Sequence, residues 1–311
     1  MTDKTKACAA QHFGWWLAKP TWLNAVASAY ASGMMTADNA SHASHTNASA
    51  GVPVYLSGDS EYMPPLYVRT DDGIAVINLH GQFTKGQSSF GGTSNVRARQ
   101  AVRTAERDPD VLGIMLSIDS PGGTVAGQAA FASEIARVAS AGDKPVHAHA
   151  EDGMHSAALW AGTQANVLTA SATTEIGSIG VVAAVHDYSG AFEKEGVKVH
   201  VISTGDYKGA FTPGTEVTED MLSQVQQRVD ELNEFFVGAI SKGRGMSKAK
   251  IAKLATGEDW MAAQAVDLGL IDAVMTDDQA MSKLRSDIKS YKRRKASEER
   301  TRRNRIRAAS L

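Results

Sequence analysis

At 311 residues and 43% hydrophobic content, the chain can bury a real core as one large α/β domain or two small ones, and its composition excludes a wholly disordered protein. A single cysteine, Cys8, excludes an intramolecular disulfide framework and a thiolate zinc site. The formal net charge of -2 conceals an asymmetry: residues 292–307 hold nine basic side chains against Glu298 and Glu299, a local +7 that leaves about -9 for the rest.

Lys4 and Lys6 precede an aromatic patch at residues 13–17, but Lys19 and Pro20 interrupt it before an export-signal core can form. No stretch approaches the roughly 18 apolar residues of a membrane helix, so a soluble protein without stable membrane insertion is expected. Residues 1–66 are rich in Ala, Ser, Asn, His and Gly, show no sustained period, and read as a low-complexity leader. The ordered domain is expected over residues 67–278. It opens with the apolar run 73–80, a buried strand, followed by a helix over 95–107 that Asp108-Pro109 stops, and a second strand over 111–118. The turn Pro121-Gly122-Gly123 leads into a helix running through Val138. Residues 145–150 read as a strand, 156–164 as a helix, 181–185 and 197–202 as strands, and 221–241 as a helix. Such alternation predicts an α/β fold with a mostly parallel sheet. Residues 279–311 form a basic tail, either a solvated disordered end or, by its helix-compatible composition, a contact for a partner such as DNA.

Two turns carry chemistry. Asp119-Ser120-Pro121-Gly122-Gly123 stands where a buried strand gives way to a helix, and its glycines permit close backbone approach and outward-facing amides, although an ordinary strand-to-helix turn has the same composition. Gly153-Met-His-Ser156-Ala-Ala-Leu-Trp160 crowds a serine with small residues at a helix start. The Ala157 amide can pair there with that of Gly122 around a tetrahedral oxyanion, while Ser156 alone would serve equally as an N-cap. A serine nucleophile needs a base. His155 is adjacent in sequence and should point elsewhere, and His186 has only Asp187 to orient it. Lys208 follows a predicted strand with Tyr207 and Phe211 placed to wall it from water, and desolvation would favour its neutral form. A solvated surface lysine is the alternative on composition alone.

The segments Ser120-Pro-Gly-Gly123, Ser156 with its small followers, Gly177-Ser-Ile-Gly-Val181, Tyr207-Lys208, and Gly257-Glu-Asp-Trp260 through Ala265-Val-Asp-Leu-Gly-Leu-Ile-Asp272 occur in an order that resembles the signal peptide peptidase A family of serine peptidases, over residues 73–274. The resemblance implies a Clp protease/crotonase-like fold with repeated β-β-α units and mostly parallel sheets. It implies Ser156 as nucleophile, Lys208 as base, Ser178 as the residue that orients the lysine, and Gly122 with Ala157 as the oxyanion hole. Asp119 stands where the family commonly has Asn, and Ala157-Ala158 where it often has Gly-Gly; neither change removes a catalytic group, but both bear on pocket shape. Within the family the chain looks most like the phage capsid assembly proteases, the minor capsid protein C-like branch. That branch implies a scaffold or capsid protein, or the chain itself, as substrate, a homo-oligomer that completes its sites from neighbouring subunits, and a place in the host cytoplasm inside the prohead. The alternatives are a bacterial signal-peptide-degrading enzyme of the cytoplasm, a non-catalytic capsid component, and a crotonase-like acyl-CoA enzyme. No cofactor and no metal are expected, since the dyad and two amides suffice.

Overall fold

The computed structural model describes residues 16–18, 51–57, 59, 63–87 and 91–309. Most of the expected leader, Cys8 included, lies outside the described residues. The described strands, in chain order, are β1 (Trp16–Ala18), β2 (Val52–Val54), β3 (Tyr67–Arg69), β4 (Ile74–His80), β5 (Phe83–Thr84), β6 (Thr93–Ser94), β7 (Gly113–Ser120), β8 (Gly122–Thr124), β9 (Val146–His155), β10 (Val167–Ala170), β11 (Glu175–Gly177), β12 (Asp259–Met261) and β13 (Ala273–Val274). The helices are α1 (Asn95–Arg107), α2 (Gln128–Ala141), α3 (Ala157–Gly162), α4 (Ser189–Lys194), α5 (Glu219–Arg244), α6 (Lys248–Leu254), α7 (Ala262–Leu268) and α8 (Asp277–Ala309).

Burial on both faces explains the near-continuous apolar runs of β4 and β7, which pair in parallel from Ile74 opposite Gly113 to His80 opposite Asp119. The main sheet has the order β12-β11-β9-β7-β4-β3-β2, with β10 parallel to β9 and β13 parallel to β10. Its centre is parallel and its edges β2, β3 and β12 are antiparallel. The predicted mostly parallel α/β architecture is therefore the observed one. Strand alternation divides the core. Ala75, Ile77, Leu79, Ile114, Leu116 and Ile118 face the large cluster that includes α1, α2, α3 and α5. Ile74, Val76 and Met115 face the opposite way, against Ala280, Leu284 and Ile288 of α8.

Local signals set the helix limits. Ser94 Oγ accepts the Arg97 amide to cap α1, which stops at Asp108 before Pro109. Thr218 Oγ1 caps α5 by accepting the Met221 amide, and Gly245 closes that helix in the left-handed region. The expected boundary at 278/279 falls inside α8, whose first turns are core and whose continuation is the basic stretch. A polar belt accompanies α8 on the sheet. His149 Nε2 lies 2.7 Å from Asp277 Oδ1, and His147 Nε2 lies 3.0 Å from Asp287 Oδ2 without hydrogen-bond alignment. Burial lowers the pKa of both imidazoles, that of His147 to about 4.

The strands expected at 181–185 and 197–202 do not form. Neither segment builds a strand ladder among the described residues, and Val182, Val197, Val201 and Ile202, the last 98% exposed, lie toward the surface. A β-strand needs a neighbour as much as it needs β-branched residues. Residues 181–218 instead form an exposed arm whose only described helix is α4.

Candidate active site

The site lies where β7, β9 and β11 end, at the carboxyl edge of the parallel sheet, the usual crevice of open α/β folds. β9 stops at His155, and Ser156 makes a sharp turn into α3 with φ 51° and ψ -114°, a backbone region that side-chain-bearing residues rarely adopt. Ser156 is fully buried. Its amide donates to Gly177 O at 2.8 Å and its carbonyl accepts the Trp160 amide at 2.9 Å, but its Oγ has no hydrogen-bond partner among the described residues. The surrounding Ala157, Ala158, Ala161 and Gly162 are buried as well, so the helix start is walled by small groups. Trp160 stacks on Phe236 with centroids 5.1 Å apart, which fastens α5 behind the serine.

The glycine turn meets this serine through α2, since Gln128 Nε2 donates to Ala157 O at 2.7 Å. Gly122 has φ 97°, and a Cβ on Gly123 would sit 1.9 Å from Phe83 O, so β5 passes too close for any side chain there. The Gly122 amide donates to Ser120 Oγ at 3.1 Å, and Ser120 Oγ donates to Gly81 O at 2.6 Å. To hold an oxyanion, Gly122 must exchange that hydroxyl for the new acceptor. The Ala157 amide, at the first position of α3, has no intrahelical acceptor to give up.

Ser178 joins them by register. His155 is opposite Gly177 in the parallel pair β9/β11, so Ser156 and Ser178 leave adjacent strands at the same level. Ser178 also has a positive φ, 50°, and its amide donates to Glu258 O at 2.8 Å. It borders a cleft shared with Ile179, Val229, Asp230, Asn233 and Thr256, and Asn233 Oδ1 is buried without a hydrogen-bond partner among the described residues.

Lys208 is not brought into this group. It lies on the exposed arm and makes no hydrogen bond to Ser156. Tyr207 and Phe211 are 48% and 39% exposed, and Tyr207 Oη donates to Asp220 Oδ2, so the apolar wall expected around Lys208 is absent within a single chain. His186 is exposed on the same arm. His155 points to Asp259, Nδ1 to Oδ1 2.8 Å, and so braces β9 against β12. That pair, 104 residues apart, carried no local signal in the sequence, and neither did the buried Gln128. Among the described residues no group of His, Cys, Asp and Glu is arranged to hold a metal ion, and no helix is long and apolar enough to cross a membrane.

The chain is similar in sequence to known proteins. The chain is 31% identical to the capsid assembly protease C of Escherichia phage lambda over 248 residues, covering 77% of this chain and 55% of that protein. It is 28% identical over 250 residues to the head-tail preconnector protein GP5 of Enterobacteria phage P21, covering 76% of this chain and 49% of that protein. It is also 28% identical over 188 residues to a putative signal peptide peptidase SppA of Enterococcus faecium, covering 60% of this chain and 54% of that protein. The chain thus spans about half the length of these curated relatives. Residues 139–290, which run from the end of α2 into α8 and include Ser156, Ser178 and Lys208, match the model of peptidase family S49, whose fold is of the ClpP/crotonase type. Over those residues the chain is similar to peptidase family S49.

Proposed function

We propose that the chain is a serine endopeptidase in which Ser156 attacks and Lys208 serves as base, cutting scaffold or capsid proteins, and itself, during phage head assembly. The observation that carries this reading is the buried Ser156 hydroxyl, without a hydrogen-bond partner among the described residues, held at a strained backbone turn at the start of α3. Strain of this kind persists where surrounding structure imposes it, and it gathers at reacting groups. The names of the phage relatives support the assembly role.

In the reaction, neutral Lys208 takes the Ser156 hydroxyl proton as Oγ bonds to the scissile carbonyl carbon. The oxyanion rests on the Gly122 and Ala157 amides, and the C–N bond breaks as the lysine returns the proton to the leaving amine. Water then attacks the acyl-enzyme with the same lysine as base, and the acyl C–Oγ bond breaks as the lysine returns that proton to Ser156 Oγ.

Lys208 reaches the serine from a second copy of the chain. The exposed apolar groups of the arm, Val182, Val201, Ile202, Tyr207 and Phe211, favour docking on such a copy, and burial there would disfavour the charged form of the lysine. The cleft beside Ser178 and Asn233 offers the incoming lysine amine two polar oxygens that can orient it. The basic face of α8 is a contact for DNA or an acidic capsid surface.

The test is reaction of the purified protein with a fluorophosphonate probe, read by intact mass, beside Ser156→Ala and Lys208→Ala. Adduct and scaffold cleavage by the wild type alone are expected. An adduct on Ser156→Ala, or full turnover by Lys208→Ala, would sink the dyad.

A further inference from the structure

His155 is a buried titratable side chain that the reaction above does not use, and it stands next to the attacking serine. By strand alternation it leaves β9 on the face opposite Met154, whose side chain belongs to the main core. Its partner Asp259 is two strands away, because β11 lies between β9 and β12. Two strand spacings are about 9–10 Å, and the side chains close that gap with Nδ1 2.8 Å from Oδ1. Asp259 as a carboxylate only accepts, so Nδ1 carries the donated proton. The two meet over Gly177, which is opposite His155 on one side and opposite Asp259 on the other. A Cβ on Gly177 would come 3.2 Å from Asp259 Oδ1, and one on Gly153 would come 2.9 Å from His155 Nε2, so both glycines keep the path clear.

The bond crosses the last rung of the ladder. β9 ends at His155, β11 ends at Gly177 and β12 begins at Asp259, and β11 and β12 have only three residues each, so few main-chain bonds hold this level. The two serines with positive φ both hang from it: the Ser156 amide donates to Gly177 O and the Ser178 amide to Glu258 O, each at 2.8 Å. Strained backbone persists only where its surroundings over-determine it, and this side-chain bond ties the outer two of the three strands at that level.

Resting on the peptidase reading above, we propose that His155 and Asp259 are positioning residues, a strap across β11 that holds the Ser156 hydroxyl, and Ser178 beside it, where the base can reach them. The strap acts through the main chain of the nucleophile, so its loss lowers kcat and leaves KM in place. Misplacing a reacting group by about 1 Å costs on the order of a hundred-fold in rate.

The experiment compares the full-length wild type with His155→Ala, His155→Asn and Asp259→Leu. It measures kcat and KM for a fluorogenic peptide, the rate of fluorophosphonate adduct formation by intact mass, and the urea midpoint. His155→Ala and Asp259→Leu should each lower kcat and the adduct rate by at least about ten-fold, with KM within about two-fold of wild type. Asparagine carries Nδ2 where histidine carries Nδ1, so His155→Asn should bring kcat back to within about three-fold of wild type. If the alanine variant does not fold, His155→Gln, of similar bulk but with its amide one bond further out, takes its place. A smaller loss in the folded variants whatever their urea midpoint, a loss carried by KM, or an asparagine variant as slow as the alanine one overturns the proposal and leaves the peptidase reading standing. A wild type that neither cleaves the peptide nor takes up the fluorophosphonate removes both.

Discussion

Replacing Ser156 should stabilise the fold while it abolishes activity, and the size of the gain can be worked from two features of the turn. The first is the buried hydroxyl, which within a single chain has no partner among the described residues, so the gain applies to the unassembled protein. A buried polar group left unsatisfied costs about 1–3 kcal/mol, so Ser156→Ala, which leaves the backbone unchanged, should gain about 1 kcal/mol. The second is the backbone at φ 51° and ψ -114°, a conformation that costs about 1–3 kcal/mol for any residue with a Cβ. Ser156→Gly releases that strain but loses a buried carbon, about 0.8 kcal/mol, and restores about 0.5–1 kcal/mol of unfolded-chain entropy. The opposing terms nearly cancel, so the glycine variant should lie within about 1 kcal/mol of the alanine variant, whereas an unstrained site would show the full loss. Urea unfolding at one fixed protein concentration measures both differences from midpoints at a shared slope. An alanine variant less stable than wild type by more than about 1 kcal/mol would mean that the hydroxyl has a partner, and would refute the first step. A glycine variant about 2 kcal/mol below alanine would refute the second.

If Lys208 serves the neighbouring copy, inactive Ser156→Ala and inactive Lys208→Ala proteins mixed in equal amounts should recover about a quarter of wild-type peptide turnover, because one neighbour pairing in four unites the intact serine with the intact lysine; no recovery after subunit exchange would place both groups in one chain. Leu284→Ala, in the fully buried part of α8, should cost about 2–5 kcal/mol in urea unfolding, while Arg302→Ala on the exposed part should change stability by less than about 0.5 kcal/mol. His147 has a folded pKa depressed from 6.5 to about 4, so the unfolded chain binds the proton first as pH falls. Stability should therefore be level above pH 6.5 and decline by at most about 3 kcal/mol toward pH 4. His147→Asn should flatten that decline in urea midpoints taken from pH 7.5 to 4.5, and an unchanged slope would assign it to other groups.

The parallel centre of the sheet was legible because β4 and β7 need apolar residues on both faces and so read as unbroken runs. The bounds of α1 were legible because Ser94 and Asp108-Pro109 punctuate them chemically. At 181–202 the same reasoning failed. Valine-rich stretches satisfy strand propensity, but propensity does not supply the neighbour that a strand must bond. The packed start of α8 was hidden for the opposite reason. Ala280, Leu284 and Ile288 repeat every four residues, but Lys283, Arg285 and Asp287 between them make the stretch read as the beginning of a charged tail. In the site, Ser156 and Ser178 converge through strand register, and Gly122 and Ala157 through Gln128, which lines up with motifs read one at a time. The Asp259 that holds His155 could not be read that way, because only the fold makes β11 and β12 neighbours.

The long terminal helix changes what the basic residues can do. A flexible tail would spread its charge through a volume and let any pull on it dissipate. Here the cations beyond Tyr291 sit on a continuous helix that rises about 1.5 Å per residue, while its opening turns are bolted to Ile74, Val76 and Met115. Lys295 adds a further tie to Asp143 at the end of α2. Force applied to the charged end is delivered to the back of β4 and β7, two of the strands that lead to the site, so the helix is a handle with a fixed direction.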